Sequence, residues 1–299
     1  AAFSGRLQQT FSDRPLLSGE LRVPSFDLDE YRAKEGEGKK SDETRTPLPL
    51  DLLKKRDVDL RLSLDRFRAF ATTLSRIDLP VSQKNGVLSV PLKASFPGGG
   101  SVSGSFQAAL TPDGNHADIG LNVHCREVNM LTLSRDRGQK TLISGTGSAE
   151  ADLHSRQKNW QDWKNALNGK FSFLVKDGAI ISPPQEARGK SSETEFRTMS
   201  MSAGVVNGVA TCRDFLIRSS LTTVTGSGTV NLARESIDAR ATVTLAGIPE
   251  MPLTITGNLF KPKVTYKLIG AVTGTVSNIG STFLDVVGGV LTAPFRLFQ

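Results

Sequence analysis

Apolar residues return at every second position through most of this chain. The clearest run is Asp57 to Asp65, where Val58, Leu60, Leu62 and Leu64 alternate with Asp57, Asp59, Arg61, Ser63 and Asp65. A repeat of two belongs to a strand with one apolar and one wet face, whereas a helix repeats near 3.6. The pattern continues through Ile77, Leu79 and Val81. After an Asn85-Gly86 hairpin signal it takes in Leu88, Val90, Leu92, Ala94 and Phe96. Pro97 to Gly100 turns the chain into Val102, Gly104, Phe106, Ala108 and Leu110, and Pro112 to Asn115 into Ala117, Ile119, Leu121, Val123 and Cys125. Alternating strands joined by short turns predict a meander. The alternation resumes from Ile143 to Leu153, and at Phe171, Phe173 and Val175 before a turn at Asp177-Gly178. It is most regular from Gly208 to Val264. There Val224, Gly226, Gly228, Val230 and Leu232 share one face, and after a polar turn at Arg234 and Glu235 so do Ile237, Ala239, Ala241, Val243 and Leu245.

Between these strands the pattern predicts a few short helices. Phe3 to Val23 alternates weakly enough for one or two strands, and Phe26 to Tyr31 reads as a turn of helix. Pro49 to Lys55 and Glu127 to Leu133 read as short helices. From Gln157 to Asn168, Trp160, Trp163 and Leu167 make an apolar stripe at helical spacing, with Gly169 as a stop. Charged, apolar-poor stretches at Ala33–Pro47 and Pro183–Glu195 cannot offset their ordering entropy by burial and read as flexible. Val272 to Leu291 carries a helical apolar stripe without Lys or Arg on its polar side, which predicts an amphipathic helix packed on the protein's own sheet rather than on a bilayer. The expected organisation is therefore leading strands and a short helix at 1–32 and a flexible loop at 33–47. A curved antiparallel sheet with short helices (one at about 157–168) fills 48–267, and a helical tail fills 268–299. Glycine recurs inside the strands, in SVSGSF, ISGTGSAEADL, LNGKFSF, TGSGTVNL and ITGNLF. Interior glycines mark bends, bulges or close backbone approach, so the long sheet should curl.

Composition narrows the function classes. A net charge of +7 attracts anionic partners in general, but Arg61, Arg66, Arg68, Lys93, Arg126, Arg213, Lys261, Lys263 and Lys267 are scattered, with no basic helix or aromatic-flanked basic cluster, which argues against nucleic acid. Cys125 and Cys212 sit in apolar company and read as small buried hydrophobes, with a disulfide left open. Leu268 to Leu291 is broken by polar residues, and no stretch is apolar enough for a membrane span. The opening AAFSGRLQQT has no initiator Met and no signal pattern, which predicts a piece of a longer protein.

Candidate chemistry is sparse. The histidines, His116, His124 and His154, come without partner patterns, and His124 and Cys125 must point to opposite faces of a strand. The carboxylate pairs Asp57/Asp59 and Asp27/Asp29 read as solvated faces. GSGTVNL is no phosphate loop, and CxxC, HExxH and EF-hand spacings do not occur. The sequence thus predicts no catalytic residue, no metal and no cofactor.

The order of pieces carries a resemblance. LPLDLLKKRDVDLRLSLDRFRAFATTLSRIDLPVSQKNGVLSVPL, then SVSGSFQAAL, VNMLTL, ISGTGSAEADLHSRQKNWQDWKNALNGKFSFLVKDGAI and the block from Gly208 to Val264 resemble the AsmA family of bacterial envelope proteins. The likeness is strongest from about Phe196 to Val264, weaker from Pro49 to Pro183 and loose over Phe11 to Phe26. Members of that family are similar to bridge-like lipid transport proteins, anchored in the inner membrane with a taco-shaped, partly open β-groove in the periplasm. The resemblance implies a non-enzymatic module that carries glycerophospholipid acyl chains toward the outer membrane. An open sheet would line its groove with Leu60, Leu62, Leu88, Val90, Leu92, Phe106, Leu121, Val230, Val243 and Ile255. The same residues would serve equally as the core of a sandwich or closed barrel. The alternatives are a scaffold that assists outer-membrane protein assembly through its sheet edges and, with least support, an envelope hydrolase or glycan-binding domain.

Overall fold

A computed structural model describes residues 3–30, 47–69, 71–138, 142–159, 162–182, 192–259 and 261–266. The expected flexible loop at 33–47 falls almost wholly outside them, as do the helical tail at 268–299 and most of the second charged stretch. The protein is mainly β. Its strands are β1 (Ser4–Thr10), β2 (Leu16–Asp27), β3 (Asp57–Ala69), β4 (Thr72–Lys84), β5 (Val87–Ser95), β6 (Ser101–Leu110), β7 (Ala117–Asn129), β8 (Leu142–Ile143), β9 (Thr146–Gln157), β10 (Asn168–Ser182), β11 (Ser192–Val206), β12 (Val209–Arg218), β13 (Thr222–Asn231), β14 (Ser236–Leu245), β15 (Ile248–Asn258) and β16 (Lys261–Tyr266). Among the described residues, residues 28–30 are helical, within the predicted turn of helix at Phe26 to Tyr31, and the short helices α1 (Leu50–Lys55), α2 (Met130–Asp136) and α3 (Trp163–Ala166) accompany the strands. The strands join one mixed sheet in chain order from β1 to β16, with β8 off the path on β10, and the sheet is not closed into a barrel.

One expectation fails in the first third. The sheet is not antiparallel throughout, because β2 and β3 run parallel, with Leu17 beside Val58 and Leu21 beside Leu62. Parallel neighbours need a long crossover, and the segment containing α1 supplies it. Other departures are local. Of the predicted helix from Gln157 to Asn168, the described residues realise the four-residue α3, while β9 holds the chain extended through Gln157 and β10 from Asn168. Gly169 is therefore no helix stop. It lies inside β10 at φ 131, where a Cβ would stand 2.1 Å from the carbonyl oxygen of Asp152. Asp177-Gly178 is no turn either, since β10 runs on to Ser182. β7 likewise extends to Asn129, so α2 begins at Met130, with the Asn129 side chain accepting a hydrogen bond from the Thr132 amide as its cap.

By contact density the chain divides into two compact units, Ala1–Val128 with Ala149–Gly169, and Asn129–Ser148 with Lys170–Gln299. In the first, the meander follows its turn chemistry: Asn85 and Gly86 both adopt positive φ, 52 and 81, as a two-residue hairpin of this twist requires. Gly104 in β6 leaves no room for a side chain, since a Cβ would meet the Asn122 carbonyl oxygen at 2.0 Å. Gly104→Ala should therefore destabilise the fold by about 1–3 kcal/mol, read as a lower urea midpoint at unchanged slope.

The second unit realises the most regular alternation. Val224 pairs with Val243, Gly226 with Ala241, Gly228 with Ala239 and Val230 with Ile237, so the two faces read from the sequence are one face of β13 and β14. Met199, Phe215, Leu253 and Ile255 are buried on their strands, with Val224 and Ile255 both 0% exposed. The Phe215 ring takes the space over Gly226, where a Cβ would lie 3.2 Å from its Cδ1. Close cross-strand packing of this kind needs glycine on one side.

Candidate functional site

The first unit presents an apolar face organised in rows that run across the strands. Residues directly opposite each other on neighbouring strands share a face, so the register defines each row. One row passes from Leu7 to Gly19, Leu60 and Val81. Asp78 pairs with Lys93 and Ser82 with Ser89, and this register carries the row to Val90, which lies opposite Phe106, itself opposite Leu121. The next row holds Leu21, Leu62, Leu79, Leu92, Gly104 and Val123. On one side of these lies a row with Leu64, Ile77, Ala94 and Val102, all buried. On the other side lies Val58, Gln83, Leu88, Ala108 and Ile119.

The row of Leu64, Ile77, Ala94 and Val102 is buried throughout, and the opposite flanking row is buried at Gln83 and Ala108 and half-buried at Val58, Leu88 and Ile119. Phe26 and Phe67 stack at 6.1 Å between ring centroids, and both pack with Leu74 and Phe96 against the buried row. At the opposite strand ends α1 lies over the face. Buried Gln83 donates through Nε2 to the carbonyls of Leu52 at 2.7 Å and Arg56 at 2.6 Å, and the Leu48 amide donates to the Lys158 carbonyl at 2.9 Å. Gln83 thereby satisfies carbonyls that the end of a short helix leaves unpaired. Between these borders Leu60, Val81, Val90, Phe106, Leu62, Leu79, Leu92 and Val123 stay half-buried, and Leu121 is 38% exposed. An apolar lane therefore runs across the strands of this unit, open to whatever chemistry prefers it to water.

The opposite face is wet and charge-paired. Arg61 grips Asp78 with two hydrogen bonds, at 3.2 and 3.1 Å, and Arg156 grips Asp118 at 2.6 and 2.9 Å. The guanidinium in each case holds its carboxyl below the usual carboxylate range. Arg61 is thus committed to a neighbour and supplies no free charge to the lane. His124 also points to this face, its Nδ1 3.7 Å from Glu150 Oε1, while its neighbour Cys125 sits on the lane face opposite Val102. Both cysteines are free thiols. Burial pushes the Cys125 thiol up to about 11, so it stays protonated at neutral pH. In the folded protein Cys125 should resist iodoacetamide at pH 8 and react quickly once the chain is unfolded in urea, read by peptide mass mapping. The raised value also means that this group's contribution to stability holds below about 9 and is lost as pH rises toward about 11.

Of the sequence-predicted lining residues, seven meet on the lane face: Leu60, Leu62, Leu88, Val90, Leu92, Phe106 and Leu121. Val230, Val243 and Ile255 lie in the second unit and are buried there, the last at 0% exposure, as core residues. The sequence reading missed Leu7, Gly19 and Leu21, which extend the rows to β1, and left out Leu79, Val81 and Val123. The signal existed for the latter three, since hairpin register places them beside chosen residues. Leu7 and Leu21 needed the parallel β2–β3 pairing, which no local pattern announces. Among the described residues no group of three or more His, Cys, Asp or Glu is placed to hold a metal ion, and no helix is long and apolar enough to cross a membrane.

The sequence model of the AsmA family matches residues 5–215. The chain belongs to the AsmA family. The matched span takes in β1 and β2, including Phe11 to Phe26 where the resemblance was loose, and ends within β12, part-way through the Phe196–Val264 stretch where the resemblance was strongest. No curated protein and no solved structure matches the chain. The lane of this AsmA-family chain lies wholly inside the matched span.

Proposed function

We propose that this AsmA-family protein is a non-enzymatic lipid-transport module of the cell envelope, whose lane holds the acyl chains of glycerophospholipids. The observation that carries this reading is the pair of central rows, apolar over β3 to β7 yet only half-buried, bordered by the buried row of Leu64, Ile77, Ala94 and Val102 on one side and by α1 over Gln83 on the other. A sheet must cover its apolar face with another layer, with itself or with a ligand. Acyl chains lying along the rows would supply the cover, at about 0.8 kcal/mol for each CH2 removed from water. Headgroups would stay at the wet margin, and transfer would be passive, with no bond made or broken. Placement in the periplasm, attachment to the inner membrane in a longer form of the protein, and delivery toward the outer membrane belong to the same proposal and rest on family membership.

Gentle purification followed by organic extraction and mass spectrometry tests it. Phospholipid near one or more molecules per chain is the expected result. A stable, lipid-free protein would return the lane to a packing role and favour the assembly-scaffold reading.

A further inference from the structure

The two ends of the sheet are protected very differently. β16 carries Lys261, Pro262 and Lys263, the residue types that keep edge strands from pairing with other chains. β1, with the sequence SGRLQQT, has Arg6 as its one charged residue and no Lys, Pro or acidic residue, shows no register shift against β2, and is exposed at every residue. Its outer backbone edge has no partner strand among the described residues. Leu7, on the lane face, is 50% exposed, and the strand is flanked by Phe3 at 73% and Phe11 at 87% exposure. Three large apolar side chains at positions 3, 7 and 11 of an unprotected edge form an interaction surface.

The spacing of these residues identifies the partner. We infer that β1 pairs antiparallel with β1 of a second copy of this chain, about a two-fold axis at Leu7. In that register Leu7 lies opposite its twin, Phe3 opposite Phe11 in both directions, Gly5 opposite Gln9, and Arg6 opposite Gln8. The apolar residues meet each other and no like charges face across the edge. A two-fold axis perpendicular to the sheet also keeps both lane faces on one side, so the row through Leu7 and Gly19 in one protomer continues directly into the same row of its partner. A strand from an unrelated polypeptide would have to match three exposed apolar positions and a stretch with a single positive charge. The chain itself already does.

The interface does not require that the lane carry lipid, so association and bound lipid are measured separately. Sedimentation velocity on the full 299-residue chain, from micromolar to submillimolar concentration, should show a concentration-dependent dimer. Leu7→Asp places like charges on the axis and should leave a monomer where the wild type is dimeric, as should Leu7→Lys. Mixing the two variants should restore the dimer, which a merely unfolded variant cannot do. Leu7→Cys should cross-link to its twin under mild oxidation, with the bond mapped to residue 7 rather than to Cys125 or Cys212. A wild-type monomer over the whole range overturns the inference, as does a dimer indifferent to charge at position 7.

Discussion

Leu121→Asp should strip bound phospholipid from the protein while leaving it folded. Leu121 is the most exposed lane residue on β3 to β7 and sits opposite Phe106 in its row, so its replacement removes little packing. A carboxylate there, however, would lie against any acyl chain in the row. Burying an unpaired charge costs several kcal/mol, and each 1.4 kcal/mol is a factor of ten in affinity, so bound lipid should fall by about tenfold or more. Leu62→Asp and Leu92→Asp should have the same effect on lipid at greater cost to stability, because both side chains also pack against the buried row of Leu64, Ile77, Ala94 and Val102. The check is lipid per chain by extraction and mass spectrometry, with urea denaturation alongside. Wild-type lipid content in Leu121→Asp would mean that the central rows do not hold acyl chains.

Phe215→Ala should produce the largest loss of stability of any single substitution considered, about 3–5 kcal/mol. Phe215 is 1% exposed and is the largest of the side chains buried below 2%. It also fills the space that Gly226 leaves on the neighbouring strand. Truncation therefore opens a cavity between two strands whose backbones are fixed by their ladder, and partial collapse is the only relief. Equilibrium urea unfolding monitored by circular dichroism would show it, and a loss below about 1 kcal/mol would mean that the strands close over the gap. The lane lies in the other unit, so lipid binding should survive in whatever fraction stays folded.

Much of the architecture was legible because its signals are local. Asn85-Gly86 marks a hairpin through backbone conformation alone, and the alternation from Val58 to Cys125 fixes which residues share a face wherever the neighbouring strand follows by a short turn. What failed was non-local or competitive. The parallel pairing of β2 with β3 depends on a crossover whose course no spacing reveals. The stripe of Trp160, Trp163 and Leu167 satisfied a helical template, yet the pairing of β9 kept the chain extended up to its start. The candidate site was half legible for a related reason. Leu121 and Ile255 occupy equivalent places in equivalent alternating patterns, but one is 38% exposed and the other 0%. Alternation records which side a residue faces and is silent on whether anything lies over that side.

Photo-crosslinking from the lane tests the central claim most directly. Benzoylphenylalanine would be placed at position 121, with position 103 as control, since Ser103 lies opposite His124 on the wet face. Irradiation of cells producing the protein, followed by purification and mass spectrometry, should give a phospholipid adduct at 121 and none at 103. Adducts absent from both positions, or equal at both, would contradict a lipid-bearing lane.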